Sequence, residues 1–92
     1  MAAGEDDAAR RLDQWLWFTR LFKSRTQAAS AIGQGEIRLN RQIVTKPAQV
    51  LRPGDVLTFM RGNDVWVVRV RDLGHRRGPA PEAQQLYEII AS

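Results

Sequence analysis

Apolar residues recur at helical spacing early in the chain. Leu12, Trp15, Leu16 and, at the edge of the stripe, Thr19 share one face of a helix over about residues 11–22. Arg11, Asp13, Gln14 and Arg20 take the solvent side. Trp17 and Phe18 widen the apolar surface beyond one stripe, and packing under a later segment is the commoner fate of such residues. A second helix follows closely. Ser24-Arg25-Thr26-Gln27 has the spacing of a capping box, with Ser24 as N-cap and Gln27 at the third helical position. Ala28 and Ile32, four apart, face the core together, and Gly35 ends the helix because glycine enters the left-handed region without steric cost.

The period then changes to two. In Glu36-Ile37-Arg38-Leu39, Ile37 and Leu39 point inward while Glu36 and Arg38 point out. Asn40-Arg41 is a tight turn into Gln42-Ile43-Val44, with Asn suited to positive φ. Arg52-Pro53-Gly54-Asp55 has the order of a type II turn and introduces a strand at Val56-Leu57-Thr58-Phe59-Met60. Gly62-Asn63 turns the chain into a last strand over residues 65–70, with Trp66, Val68 and Val70 on one face. Residues 74–79 show no burial pattern and read as a flexible basic connection. Pro81 opens a final helix whose stripe is Ala83, Leu86, Tyr87 and Ile90. The pattern predicts an α/β (α+β) domain: two N-terminal helices on a small, mostly antiparallel sheet, plus a C-terminal helix. Its divisions are an acidic leader over residues 1–9, a domain over 10–72, and a basic linker with the last helix over 73–92.

Charge turns this architecture toward function. The formal net charge is +4, but Glu5, Asp6 and Asp7 fall in the leader, and residues 10–77 hold 14 basic residues against five acidic ones. Lys23, Arg25, Arg38, Arg41 and Lys46 lie on the second helix start and the strand and turn that follow, with Glu36 as the one acid among them. A helix start carries free N–H groups and a positive dipole end, so basic side chains there converge on an anion. For a chain of 92 residues the fitting extended anion is a nucleic-acid backbone, RNA or DNA.

The chain has no cysteine, which excludes disulfides, thiolate metal sites and cysteine catalysis. Its apolar runs are too short to span a bilayer and its start has no signal pattern, so a cytoplasmic location is expected. No cofactor is expected. His75 beside Arg76 and Arg77 reads as a solvated loop residue, since a metal or general-base site needs partners that the sequence does not place near it. Ser24 reads as a cap rather than a nucleophile. No phosphate-loop, nucleophile-elbow or paired-carboxylate pattern occurs, so no enzyme activity is expected.

Taken in order, Arg11-Leu12-Asp13, Lys23-Ser24-Arg25, Ala28, Gly35, Ile37-Arg38-Leu39-Asn40, Lys46-Pro47 and Pro53-Gly54-Asp55 resemble the S4 RNA-binding domain. That module is known from ribosomal protein S4, pseudouridine synthases and tyrosyl-tRNA synthetases. Asp13-Gln14-Trp15-Leu16-Trp17, with the tail from Arg76 through Glu88, resembles the bacterial heat-shock protein 15 family. The resemblance implies an S4-like module that binds rRNA of the large ribosomal subunit. It further implies assistance in rescue or recycling of stalled subunits that carry nascent-chain (peptidyl-) tRNA. The family pattern has glycine after the asparagine of the strand turn, where this chain has Arg41. Some relatives also continue into a longer basic C-terminal extension that these residues do not include.

The expected RNA contacts are phosphate donors Arg11, Lys23, Arg25, Arg38, Arg41 and Lys46, with Ser24, Gln27 and Asn40 as polar support. Asn40 is a turn residue first, and Asp13 is expected to pair with and orient an arginine. Trp15 is assigned to the core. Trp17 is open between core and a stacking platform for unpaired bases, and Arg76-Arg77 between phosphate contact and solvated linker. The partners are rRNA, the large subunit and peptidyl-tRNA, with no membrane, and the chain is expected to be a monomer. The rival class is a protein-interaction or holdase module that uses the Trp-rich first helix and the last helix as an apolar surface.

Overall fold

A computed structural model describes residues 9–91. The acidic leader therefore lies, apart from Ala9, outside the described residues. A short strand β1 (Arg10–Arg11) leads into α1 (Leu12–Phe18) and α2 (Arg25–Gly33). Then come β2 (Ile37–Leu39), β3 (Gln42–Val44), β4 (Val50–Leu51), β5 (Val56–Arg61), β6 (Asp64–Val70), α3 (Ala80–Gln84) and β7 (Tyr87–Ala91). Five strands form one sheet in the order β3-β2-β5-β6-β7, and β1 pairs with β4 as a separate two-stranded ribbon. Every pairing is antiparallel. The expected α/β class, with two helices on an antiparallel sheet and a third helix near the C-terminus, holds.

Both helices lie on one face of the sheet. Leu12, Trp15 and Leu16 of α1 and Ala28 and Ile32 of α2 are fully buried, against Ile37, Leu57, Val68 and Val70 of the strands. Phe22 meets Phe59 with ring centroids 6.0 Å apart. Trp15 joins the core as expected, and its indole N–H donates to the Asp72 carbonyl at 2.9 Å, which satisfies the one polar group it brings inside. α2 starts and stops as its sequence dictates. The Gln27 N–H donates to Ser24 Oγ at 3.0 Å. At the other end Gly35 takes φ +76°, its N–H bonds the Ile32 carbonyl, and the Glu36 N–H bonds that of Ala31, which is a Schellman closure.

Three local expectations are corrected. α1 ends at Phe18 rather than near residue 22, because Arg20 adopts φ +62° and bonds its N–H back to the Trp17 carbonyl. The last helix stops at Gln84, and Tyr87–Ala91 form a strand on the edge of the sheet. Tyr87 there pairs with Val70 and Glu88 with Arg69. Only Ala83 of that stripe lies in a helix; from Tyr87 onward, pairing with the open edge of β6 overrides the local helical spacing. Residues 74–79 are pinned rather than flexible. Arg10 donates to the Leu73 and Gly74 carbonyls at 3.1 and 2.7 Å, Arg20 to that of Gly78 at 2.7 Å, and Arg77 to that of Trp17 at 3.0 Å.

Candidate nucleic-acid interface

The first turn of α1 is sewn to a distant segment by two backbone bonds, from Leu12 N–H to the Gln49 carbonyl at 2.9 Å and from Asp13 N–H to that of Pro47 at 3.2 Å. The turn that opens with Lys46 therefore sits against residues 11–13, next to the start of α2. Within this junction Asp13 is 4% exposed, which corrects the expectation that it faces solvent. Burial of a carboxylate requires partners, and Asp13 has three. Arg11 donates from Nε and Nη2 to the two carboxylate oxygens at 3.0 Å each, and Arg25 approaches Oδ2 at 3.5 Å. The Gln14 N–H adds a bond of 2.8 Å to Oδ1.

Burial alone would push the Asp13 carboxyl up. The Arg11 hydrogen bonds, the Arg11 and Arg25 charges and the Gln14 N–H outweigh it and hold the group below the usual carboxylate range. Arg11 is raised in turn by its bonds to Asp13. The two guanidinium groups stay about half exposed, with side-chain exposures of 52% for Arg11 and 43% for Arg25. One buried acid thus holds two outward-facing cations side by side at the N-terminus of α2. The expected pairing of Asp13 with an arginine is observed, and it involves two.

The other candidate residues divide. Lys23, Ser24 and Gln27 surround the helix start, and Ser24 acts as the cap. Arg38 is exposed between the inward-facing Ile37 and Leu39, so it stands on the sheet face opposite the helices, across from Ile43 and Thr58. It does not join the cluster. Arg41 sits at the tip of the β2–β3 hairpin, where Asn40 and Arg41 have φ +50° and +77° as the sole residues between paired Leu39 and Gln42. Asn40 is a turn residue in full. Its Oδ1 accepts from the Val56 N–H at 2.9 Å and its Nδ2 donates to Asp55 at 3.0 Å, which ties this hairpin to the Pro53-Gly54 turn.

Sequence patterning missed three features near this surface. Arg77 lies over the Trp17 ring at 5.5 Å, so the open face of that indole already carries a guanidinium. Arg76 instead pairs with Glu82 at 2.9 Å. Arg20, read as a plain solvated residue, borders a cleft with Lys23. Arg61 and Trp66, from the far hairpin, line the same cleft. No local signal joins residues 20–27 to 61–66, since packing of Phe22 on Phe59 of β5 brings them together. Among the described residues no cluster of three His, Asp or Glu could hold a metal ion. No helix there is long and apolar enough to cross a membrane.

Comparison with known proteins fits this geometry. The S4 domain model matches residues 10–57, from β1 into β5. Heat shock protein 15 of Escherichia coli strain K12 is 40% identical over 81 residues, which are 88% of this chain and 60% of that protein. The chain thus spans about three fifths of that relative's length. The RQC P-site tRNA stabilizing factor of Bacillus subtilis strain 168 is 35% identical over 80 residues, covering 87% of this chain and 91% of that one. The solved structure of Vibrio cholerae heat shock protein 15, described as trimeric, is 35% identical with a TM-score of 0.85 over 90% of this chain and 83% of that one. The chain therefore belongs to the S4 domain family and is a homologue of heat shock protein 15.

Proposed function

We propose that this chain binds rRNA of the large ribosomal subunit through the junction of α1 and α2, and assists rescue or recycling of stalled subunits that carry nascent-chain tRNA. The observation that carries the reading is the Arg11–Asp13–Arg25 cluster at a capped helix start. Two guanidinium groups fixed side by side, next to free N–H groups and the positive helix end, form a receptor for neighbouring phosphates. Lys23 and Lys46 extend that field on either side. Arg38 and Arg41 serve as outlying cations, Gln27 as polar support on the first turn, and Ser24 and Asn40 act by holding backbone. The role is binding rather than catalysis, in the cytoplasm, by a monomer. The Bacillus relative is named for stabilizing P-site tRNA, which supports peptidyl-tRNA on the stranded subunit as the state this chain recognises.

The test is co-sedimentation with empty large subunits, large subunits carrying peptidyl-tRNA, and small subunits at one salt concentration. Preference for the tRNA-bearing large subunit supports the reading. Equal binding to all three leaves a generic RNA-binding domain, because phosphate contacts alone carry no sequence information.

A protein-contact role has one observation in its favour. Among the described residues nothing covers the sheet face away from the helices, and Ile43, Met60 and Val65 there are 57%, 55% and 50% exposed. Salt separates the two readings, since phosphate binding weakens as salt rises while apolar association does not.

A further inference from the structure

The cleft between the start of α2 and the β5–β6 hairpin measures about 590 Å³, a size within the range of small-ligand sites. Arg20, Phe22 and Lys23 line one wall, and Arg61, Asp64 and Trp66 the other. The Arg61 guanidinium lies over the Trp66 indole, 4.8 Å from the ring centroid. Trp66 and Arg61 also border a second cleft, of about 480 Å³, beside Tyr87 and Ile89. The stacked pair therefore forms a ridge with open space on both sides. In fold terms the pair needs no ligand, since an arginine over a tryptophan at a hairpin end stiffens the turn. The charges facing it are what call for more. Arg20, Lys23 and Arg61 against Asp64 leave the cleft positive, and its cationic wall at residues 20–23 adjoins Arg25 of the phosphate receptor.

We propose that this cleft holds an unpaired nucleotide of the RNA bound at the α1–α2 junction. The base stacks on the Arg61–Trp66 pair, and its phosphate reaches Arg20 and Lys23. Stacking is the mode an arginine plane and an indole offer to a base, and it tolerates any base because each has a π-face. Asp64 repels phosphate from the hairpin end and accepts hydrogen bonds there, which sets the direction: base toward the hairpin, backbone toward α2. The junction then holds the paired or folded part of the RNA and the cleft its single-stranded flank. The inference rests on the RNA-binding reading above and adds a second, separable contact to it.

The experiment compares two probes by fluorescence anisotropy: a blunt RNA duplex, and the same duplex with a short unpaired oligoadenylate extension. The wild-type protein binds the extended probe more tightly. Arg61→Gln, which changes an exposed side chain, and Trp66→Leu each lose at least about five-fold on the extended probe, and bind the blunt probe as wild type does. Trp66→Phe, which keeps an aromatic face, retains most of the advantage. Circular dichroism on each variant confirms the fold. Arg25→Ala weakens both probes, so a failure of the junction is distinguishable from a failure of the cleft. No preference of the wild type for the extended probe, or equal losses on both probes in Arg61→Gln, overturns the inference. Binding of neither probe overturns it together with the RNA-binding reading.

Discussion

Asp13 grips Arg11 through both carboxylate oxygens at 3.0 Å, while the carboxylate itself is almost wholly buried. Arg25, twelve residues further on, completes the arrangement from the start of α2. The acid contributes no cation to the proposed RNA surface, and removing it raises the net positive charge.

Asp13→Asn therefore separates geometry from bulk charge. If attraction were only a matter of net charge, the variant would bind RNA more tightly. If orientation of the two arginines matters, it binds more weakly. We expect the second, by several-fold. Loss of the charged hydrogen bonds should also cost about 1–3 kcal/mol of stability, toward the low end because both guanidinium groups are half exposed. Anisotropy titration and urea melts on the same samples read both effects.

The pH dependence follows from the same carboxylate. Its folded value lies below the unfolded one, so its contribution is fully present above about pH 4 and is lost as pH falls through the folded value. Thermal melts should show little effect of Asp13→Asn on the pH dependence between neutral pH and about pH 5. Below about pH 4 the wild type should lose stability faster than the variant, which has no such group to protonate. Parallel curves throughout would mean that the pair adds nothing to folding.

At the hairpin tip, Arg41 holds φ +77°, a conformation that costs a side-chain-bearing residue energy and costs glycine little. Arg41→Gly, which places the residue of the family pattern there, should raise stability by about 0.5–1 kcal/mol. The same change removes a cation from an exposed loop, so any loss of RNA affinity comes without a loss of fold. A drop in melting temperature would contradict the turn geometry.

Ile32 is wholly buried where α2 meets the sheet. Ile32→Ala should cost about 2–5 kcal/mol in denaturant melts. A loss below about 0.5 kcal/mol, the range of ordinary surface changes, would contradict that packing.

What could be read from the chain followed local rules. The Ser24 cap, the Gly35 stop, the alternation of Ile37 and Leu39 and the Pro53-Gly54 turn each depend on a few adjacent residues, and all form as their patterns dictate. The misreadings involve partners far away in sequence. Asp13 sits on the polar side of a helical wheel, and only the fold of α2 against α1 brings Arg25 to it. The segment at Tyr87 becomes a strand because β6 offers a free edge. Residues 74–79 look unconstrained until Arg10 and Arg20 are seen holding their carbonyls. Of the site, the basic residues around α2 were visible in the sequence. The pairing of Asp13 with an arginine was visible too, but its burial, its second partner Arg25 and the Arg61–Trp66 wall were not.

The most direct test of the central claim is the salt dependence of binding to large ribosomal subunits for the wild type and Arg25→Ala. Each lost phosphate contact should flatten the slope of log affinity against log salt by about 0.7–0.9. The variant is predicted to bind more weakly at every salt concentration, with a slope shallower by one contact and an unchanged circular dichroism spectrum. An unchanged affinity and slope would remove the α1–α2 junction as the RNA surface.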